Sequence, residues 1–247
     1  MPHTHLFNGD FFRFKSLEDY SAFMHFSDFV NNKEAINAHI NSYEYMALKP
    51  SLHHEDTHKD LSHMKMNSIT SALNHFAGLT ITSLCTTFEI TVKEFLRCYF
   101  IQNPSSMYEF IGKEDNKGLV SLKEMLKVDT YQDLMNSLAE KAASSASKGK
   151  YGLVLSKIAK LCKEDVDSKL VIDLNQLQAQ RNKIVHEKLS KDWNLGDIEV
   201  AESTVSKVIE QVCRFGLKRD IPGLYSCVDN KTVLEFESFA VLGNEKI

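Results

Sequence analysis

The residues with the clearest chemical potential in this sequence are Arg181, Asn182 and His186, which stand together in the run RNKIVH at 181–186. Histidine titrates near neutral pH, so its side chain can accept and donate protons under physiological conditions. Arginine keeps its positive charge, and its planar guanidinium binds carboxylates and phosphates through paired hydrogen bonds. The three residue types together are suited to a site that binds an anion and moves protons.

The element that must position these residues is an amphipathic helix. Its apolar residues recur at intervals of three and four, the spacing of one helix face, and they are Leu170, Leu174, Leu177, Ile184 and Val185. Arg181 falls on the same stripe. Because a guanidinium cannot lose its charge, a helix that directs one toward its packing face must supply a carboxylate, a bound phosphate or a partner subunit to meet it.

Helix geometry constrains how the motif can work. Residues five apart lie about 140° from each other around a straight α-helix, so Arg181 and His186 do not share a face. Asn182 and His186 are four apart and do share one. One copy of the motif is therefore an incomplete cleft unless the helix kinks or a second copy faces it, which favours a homodimer with Arg181 near the seam.

The composition predicts a helical protein with a sizeable core. The chain has 247 residues, 43% of them hydrophobic, and only 10 glycines and 4 prolines, too few for a turn-rich β protein. Five cysteines without CxxC spacing are typical of buried thiols in a reducing compartment. With neither a signal peptide pattern nor a long apolar run, we expect a cytoplasmic protein that does not associate with membranes.

The charge argues against coating of nucleic acid by bulk electrostatics. The formal net charge is -4, although a local basic patch remains compatible with it. Lysines concentrate in the C-terminal half, where they form either such a patch or ordinary solvated helix faces, at positions 148, 150, 157, 160, 163, 183, 188 and 191.

Hydrophobic periodicity predicts an all-α bundle followed by a small C-terminal β-hairpin. The predicted helices cover 17–30, 33–48, 64–101 with a bend at Gly78, 107–111, 119–126, 130–146, 153–162, 166–189 and 197–217. The hairpin strands are predicted at 225–228 and 232–236, and the polar, histidine-rich stretch 51–62 is predicted to be a connection. We divide the chain into an N-terminal helical extension (1–62), a helical bundle (63–219) and a C-terminal hairpin or tail (220–247).

Three features together resemble the HEPN superfamily of helical bundles. The RNKIVH run fits the R-x4-H pattern of its RNase members, a second long helix carries FEITVKEFL at 88–96, and a Lys/Ser-rich loop at 142–150 lies between the two. The resemblance covers roughly residues 67–217. It implies a metal-independent endoribonuclease without a cofactor, in which two subunits bring their motifs into one cleft and cleave RNA by 2′-hydroxyl attack.

The resemblance also implies roles for four residues. His186 would be the general base or acid, Arg181 the clamp on the phosphate and the transition state, and Asn182 the positioning group. Glu89 would hold Arg181 or act as a supporting acid, although an ordinary ion pair would explain it equally well. The implied setting is a toxin–antitoxin or phage-defence system, with an antitoxin or regulatory partner that restrains the nuclease.

Two other functions stay open. One is a non-catalytic HEPN-like module that binds a nucleotide or a protein, with Arg181 and His186 in structural contacts. The other is a metal-dependent hydrolase, because His54, Glu55 and His58 match H-E-x-x-H, in which two histidines bind zinc and a glutamate activates water. The extended metallopeptidase pattern is missing, since Leu61 and Met64 stand where it has glycine and histidine.

Overall fold

The computed structural model describes residues 6–42, 54–111, 128–187 and 193–228. Nearly all regular structure in these ranges is helical, which confirms the predicted all-α class. The helices are α1 (Gly9–Asn31), α2 (Lys33–Ser42), α3 (His54–Gln102), α4 (Tyr131–Ala146), α5 (Tyr151–Cys162), α6 (Ser168–Asn182) and α7 (Leu195–Lys218). Short 3-10 helices lie at Pro104–Glu109 and Ser226–Val228, and a π-helical turn at Lys183–Glu187 follows α6.

The core is built around α3, which has 49 residues. It packs against α1, α4 and α7, with further contacts to α5 and α6. Its inward side chains are fully buried, among them Ile81, Leu84, Phe88 and Phe95. The apolar side chains of α3 pack against several neighbouring helices at once. The buried residues of α3 and α6 therefore belong to one hydrophobic core.

Helix α1 begins earlier than the sequence pattern predicted. We predicted a start near residue 17, whereas the helix starts at Gly9 and its cap is Asn8, whose side chain accepts from the Phe11 N–H. Ser16 and Asp19 have the spacing of a capping box, but Ser16 lies inside the helix, where it is buried and its hydroxyl donates to Glu202 of α7.

The predicted connection at 51–62 was wrong for most of its length, because α3 starts at His54. Polarity suggested a loop, but neither proline nor glycine occurs between Ser51 and Ser62 to stop a helix. The end of the second predicted helix, residues 43–48, and the predicted helix at 119–126 lie outside the described residues.

The C-terminal strand pair differs from the predicted hairpin in its partner. Strand β2 (Gly223–Leu224) pairs in parallel with β1 (Phe7–Asn8), and residues 226–228 form a 3-10 helix instead of a strand. The predicted second strand at 232–236 lies outside the described residues. A side chain at Gly223 would collide with the Phe7 carbonyl and the Tyr225 ring, so glycine permits this approach of the two ends.

Other elements agree with the sequence. Thr130 caps α4, and Asn194 and Asp197 form a capping box at the start of α7. The four cysteines whose side chains are described are buried thiols outside any disulfide, as expected: Cys85, Cys98, Cys162 and Cys213. None of the helices in the described ranges is both long and apolar enough to cross a membrane. The division into 1–62, 63–219 and 220–247 stays a prediction.

Candidate active site

Helix α6 is anchored by the predicted apolar stripe. Leu170, Leu174 and Leu177 are buried in the core, and Asp167 caps the helix by accepting from the Lys169 N–H at 2.9 Å. The α-helix ends at Asn182, so the long predicted helix at 166–189 is interrupted where the motif lies. Because these buried leucines hold the first part of α6 in the core, they fix the position at which its C-terminal end, with the motif, reaches the surface.

The motif residues after Asn182 form a π-helical turn, Lys183–Glu187. Backbone hydrogen bonds in a π-helix join residues five apart, so the turn is wider than in an α-helix. The wider turn reduces the angle of about 140° that a straight α-helix would place between Arg181 and His186. Such turns occur frequently at functional sites. Ile184 packs toward the core beside Gly78 of α3, while Val185 is exposed.

Arg181 is half-buried, in agreement with its place on the apolar stripe. Its Nη1 donates to Asn182 Oδ1 at 3.4 Å. Among the side chains that the structure describes, no carboxylate forms an ion pair with this guanidinium. Asn182 and His186 are both exposed. The three predicted residues therefore end one helix at the surface, with a partly desolvated positive charge beside two solvent-accessible polar groups.

Glu89 lies on α3 in the same neighbourhood, and its partner is a residue that the sequence did not single out. The hydroxyl of Tyr151, the first residue of α5, donates to Glu89 Oε1. The positive charge of Arg181 acts on Tyr151 and on the nearby Cys85 thiol. Helices α3 and α5 thus bring Glu89 and Tyr151 into contact, with the Arg181 charge of α6 within electrostatic range of the Tyr151 hydroxyl, although no sequence pattern links the three.

Burial is the main influence on the pKa values of Cys85 and Tyr151. It raises the pKa of Cys85 to about 12, against the opposing influence of the Tyr151 hydroxyl and the Arg181 charge. Burial also raises the pKa of Tyr151, helped by Cys85 and Glu89 and opposed by Arg181. Both groups therefore stay protonated near neutral pH. Cys85 is an inert thiol here, and Tyr151 is a permanent hydrogen-bond donor.

A basic loop adjoins α6 one turn before the motif. Gln178 Nε2 donates to the carbonyl of Gly149 at 3.2 Å, which places Lys148 and Lys150 beside α6. Both lysines are exposed, as is Lys183 in the π turn. Lys157 Nζ of α5 donates to the Lys148 carbonyl at 3.3 Å and so joins the loop to α5. Lys148, Lys150 and Lys183 thus lie on the loop bonded to α6 and in the π turn that follows it, and the basic patch stays a prediction.

The alternative motif is helical rather than part of a loop. His54, Glu55 and His58 belong to the start of α3. Within the described part of the chain, no group of three or more histidine, cysteine, aspartate or glutamate side chains is arranged to hold a metal ion. The side chains of 54–61 lie outside what is described.

Comparison of this chain with protein-family models, curated proteins and solved structures found no match. The described geometry has a half-buried guanidinium and an exposed imidazole at the end of α6. On α3, the Glu89 carboxylate is held by a hydrogen bond from Tyr151 of α5.

Proposed function

We propose that this protein is a metal-independent endoribonuclease of the HEPN type, with Arg181, Asn182 and His186 as its catalytic residues. The observation that carries the proposal is the half-buried Arg181, which no described carboxylate neutralises and which stands beside the exposed Asn182 and His186. A partly desolvated guanidinium binds a phosphate more strongly than a fully hydrated one, because less water must be displaced.

The proposed reaction is an internal transfer at a phosphodiester. His186 takes the proton of a ribose 2′-hydroxyl, the 2′-oxygen forms a bond to phosphorus, and the bond from phosphorus to the 5′-oxygen breaks. The products are a 2′,3′-cyclic phosphate and a 5′-hydroxyl, whose proton comes from a histidinium or from water. Arg181 stabilises the negative charge that develops on the phosphoryl oxygens, and Asn182 orients the substrate or His186.

The basic loop supports RNA as the substrate class. Lys148 and Lys150 lie along the side of α6, so an RNA strand whose phosphate reaches Arg181 would pass near both. The formal net charge of the whole chain is -4, so binding depends on this local patch.

A homodimer is part of the proposal. Asn182, Val185 and His186 are all exposed at the end of α6, with a hydrophobic residue between two polar ones. A second copy of the same surface would cover Val185 and complete the cleft with another motif. Sedimentation at micromolar concentrations should show a dimer, and full cleavage by a stable monomer would contradict this part.

The biological setting follows only from the HEPN resemblance. It comprises a cytoplasmic effector of a toxin–antitoxin or phage-defence system, restrained by an antitoxin or other regulatory partner. The non-catalytic binding module and the metal-dependent hydrolase remain the alternatives. One observation favours the metal-dependent hydrolase, because His54, Glu55 and His58 belong to a helix, as the H-E-x-x-H motif requires.

The deciding experiment incubates purified protein with a mixed RNA pool in excess EDTA. We expect cleavage at full rate and at least a hundredfold loss in Arg181→Ala and in His186→Ala. Arg214→Ala and His25→Ala are matched controls, since both residues are exposed on helices away from the motif.

Each outcome of this experiment separates the candidates. Cleavage that persists in either motif variant rejects the site assignment. Cleavage that EDTA abolishes and zinc restores favours the hydrolase. An intact RNA pool together with saturable binding of a nucleotide favours the non-catalytic module.

A further inference from the structure

We propose that Tyr151 is a positioning residue of this site, which holds the Glu89 carboxylate in one position and links it to α6, the helix that carries Arg181. The inference rests on the proposed function and assigns a role to a residue outside the R-x4-H motif. Tyr151 contacts both helices that carry the site, so its two ends join α3 to α6.

The side chain of Tyr151 is bound to α3. Its hydroxyl donates to Glu89 Oε1, and its ring lies 4.5 Å from the ring of Phe88, centroid to centroid. The residue is only 4% exposed, whereas Glu89 is exposed. An exposed glutamate on a helix normally samples several rotamers, and a bond from a buried, immobile donor selects one of them.

The backbone of Tyr151 is bound to α6. Its N–H donates to Gln178 Oε1 at 3.0 Å, and the next N–H, of Gly152, donates to Asn175 Oδ1 at 3.1 Å. These two bonds satisfy N–H groups that the first turn of a helix leaves without partners. Gln178 lies three residues before Arg181 on α6. A shift of α6 would therefore be transmitted to Tyr151 and from there to Glu89.

The arrangement has an electrostatic consequence at Arg181. The Arg181 charge reaches the Tyr151 hydroxyl, so the carboxylate that accepts from this hydroxyl lies within the same electrostatic neighbourhood. A negative charge at a fixed position limits the directions in which the guanidinium points, without neutralising it in a direct ion pair. Because orientation matters most in the transition state, loss of this restraint should lower kcat more than it raises KM.

The test is a double-mutant cycle on RNA cleavage with Tyr151→Phe and Glu89→Gln. Tyr151→Phe removes the hydroxyl and keeps the ring against Phe88, and we expect kcat to fall about tenfold with KM nearly unchanged. Glu89→Gln should cause a loss of similar size. The double variant should be no slower than the slower single variant, because both substitutions break the same link.

Tyr99→Phe is the matched control. Tyr99 is also buried, and its hydroxyl donates to the Leu161 carbonyl at 2.8 Å, away from the site. Loss of this hydroxyl should lower stability to a comparable degree and leave kcat unchanged. Urea denaturation of the wild type and the four variants shows whether each is folded under the assay conditions.

The outcomes separate this inference from the proposed function. If the wild type cleaves RNA and Tyr151→Phe matches it in kcat, or if the two losses multiply in the double variant, Tyr151 has no positioning role and the nuclease proposal stands. If the wild type does not cleave RNA, both proposals fall. A loss of kcat in Tyr99→Phe equal to that in Tyr151→Phe would also overturn the inference, since general destabilisation would explain both.

Discussion

The contact between α5 and α6 that positions the candidate site can be tested by one substitution, Gly152→Ala. A Cβ at Gly152 would lie 2.7 Å from Val171 Cγ1, 2.7 Å from Asn175 Nδ2 and 2.9 Å from the Val171 carbonyl oxygen. Two of these atoms are side-chain ends, but the carbonyl belongs to the backbone of α6 and cannot move alone. Alanine at this position must therefore push the two helices apart.

The magnitude follows from two opposing effects. Overpacking of a tight contact typically costs about 1–3 kcal/mol, whereas replacing glycine by alanine in a helix gains up to about 1 kcal/mol. The two effects together give a loss between about 0 and 3 kcal/mol, and because a backbone carbonyl is among the close atoms we expect the free energy of unfolding to fall by at least about 1 kcal/mol. The helix shift should also weaken the bonds from Tyr151 and Gly152 to α6 and so reduce RNA cleavage.

Gly78→Ala is the matched control. This glycine is also buried in a helix, but the nearest atom to an added Cβ is Ile184 Cγ2 at 3.4 Å, an ordinary contact. We expect this variant to be as stable as the wild type or up to about 1 kcal/mol more stable. Urea denaturation followed by circular dichroism measures both variants. A Gly152→Ala protein at least as stable as Gly78→Ala would refute the claim that α5 and α6 are in tight contact.

Three further predictions concern the core, the thiols and the basic loop. Leu174→Ala should lower the free energy of unfolding by about 2–5 kcal/mol in urea denaturation, because the side chain is fully buried; a loss below about 1 kcal/mol would contradict the placement of α6. Because the pKa values of Cys85 and Cys98 are raised to about 12, neither thiol should react with a disulfide reagent in native protein at pH 8, and rapid labelling would show that the core is open. Replacing both Lys148 and Lys150 by alanine should reduce the slope of log binding constant against log salt by about 1.4 for single-stranded RNA. An unchanged slope would place the RNA elsewhere.

The helices were predictable where local patterns and tertiary packing agree. The apolar stripe of α6, the Thr130 cap of α4 and the limits of α5 follow from residue spacing and short-range hydrogen bonding. Predictions failed where a local signal was ambiguous. The capping-box spacing of Ser16 and Asp19 indicated a start for α1 later than the true one at Gly9, and the polarity of 54–62 was mistaken for a loop although nothing there stops a helix.

In the candidate site, too, some residues were identified from the sequence and others only from the structure. Arg181, Asn182 and His186 were recognisable because they are adjacent in sequence, and the stripe predicted that Arg181 would be partly buried. The π turn and the contact of Tyr151 with Glu89 were not recognisable. A π turn depends on a small difference in backbone hydrogen bonding, and Tyr151 is 62 residues away from its partner Glu89 in the chain.

The sequence by itself determined the helical class, the apolar face of α6 and the three polar residues at its end, because each depends on residues a few positions apart. Only the tertiary structure decided which other groups stand around Arg181. The packing of α3, α5 and α6 joins the Tyr151 hydroxyl to the Glu89 carboxylate and bonds both Tyr151 and the basic loop to Gln178, three residues before Arg181. The physical reason is that periodicity specifies which face of a helix is buried, whereas the neighbour of each buried side chain is set by how distant segments pack together.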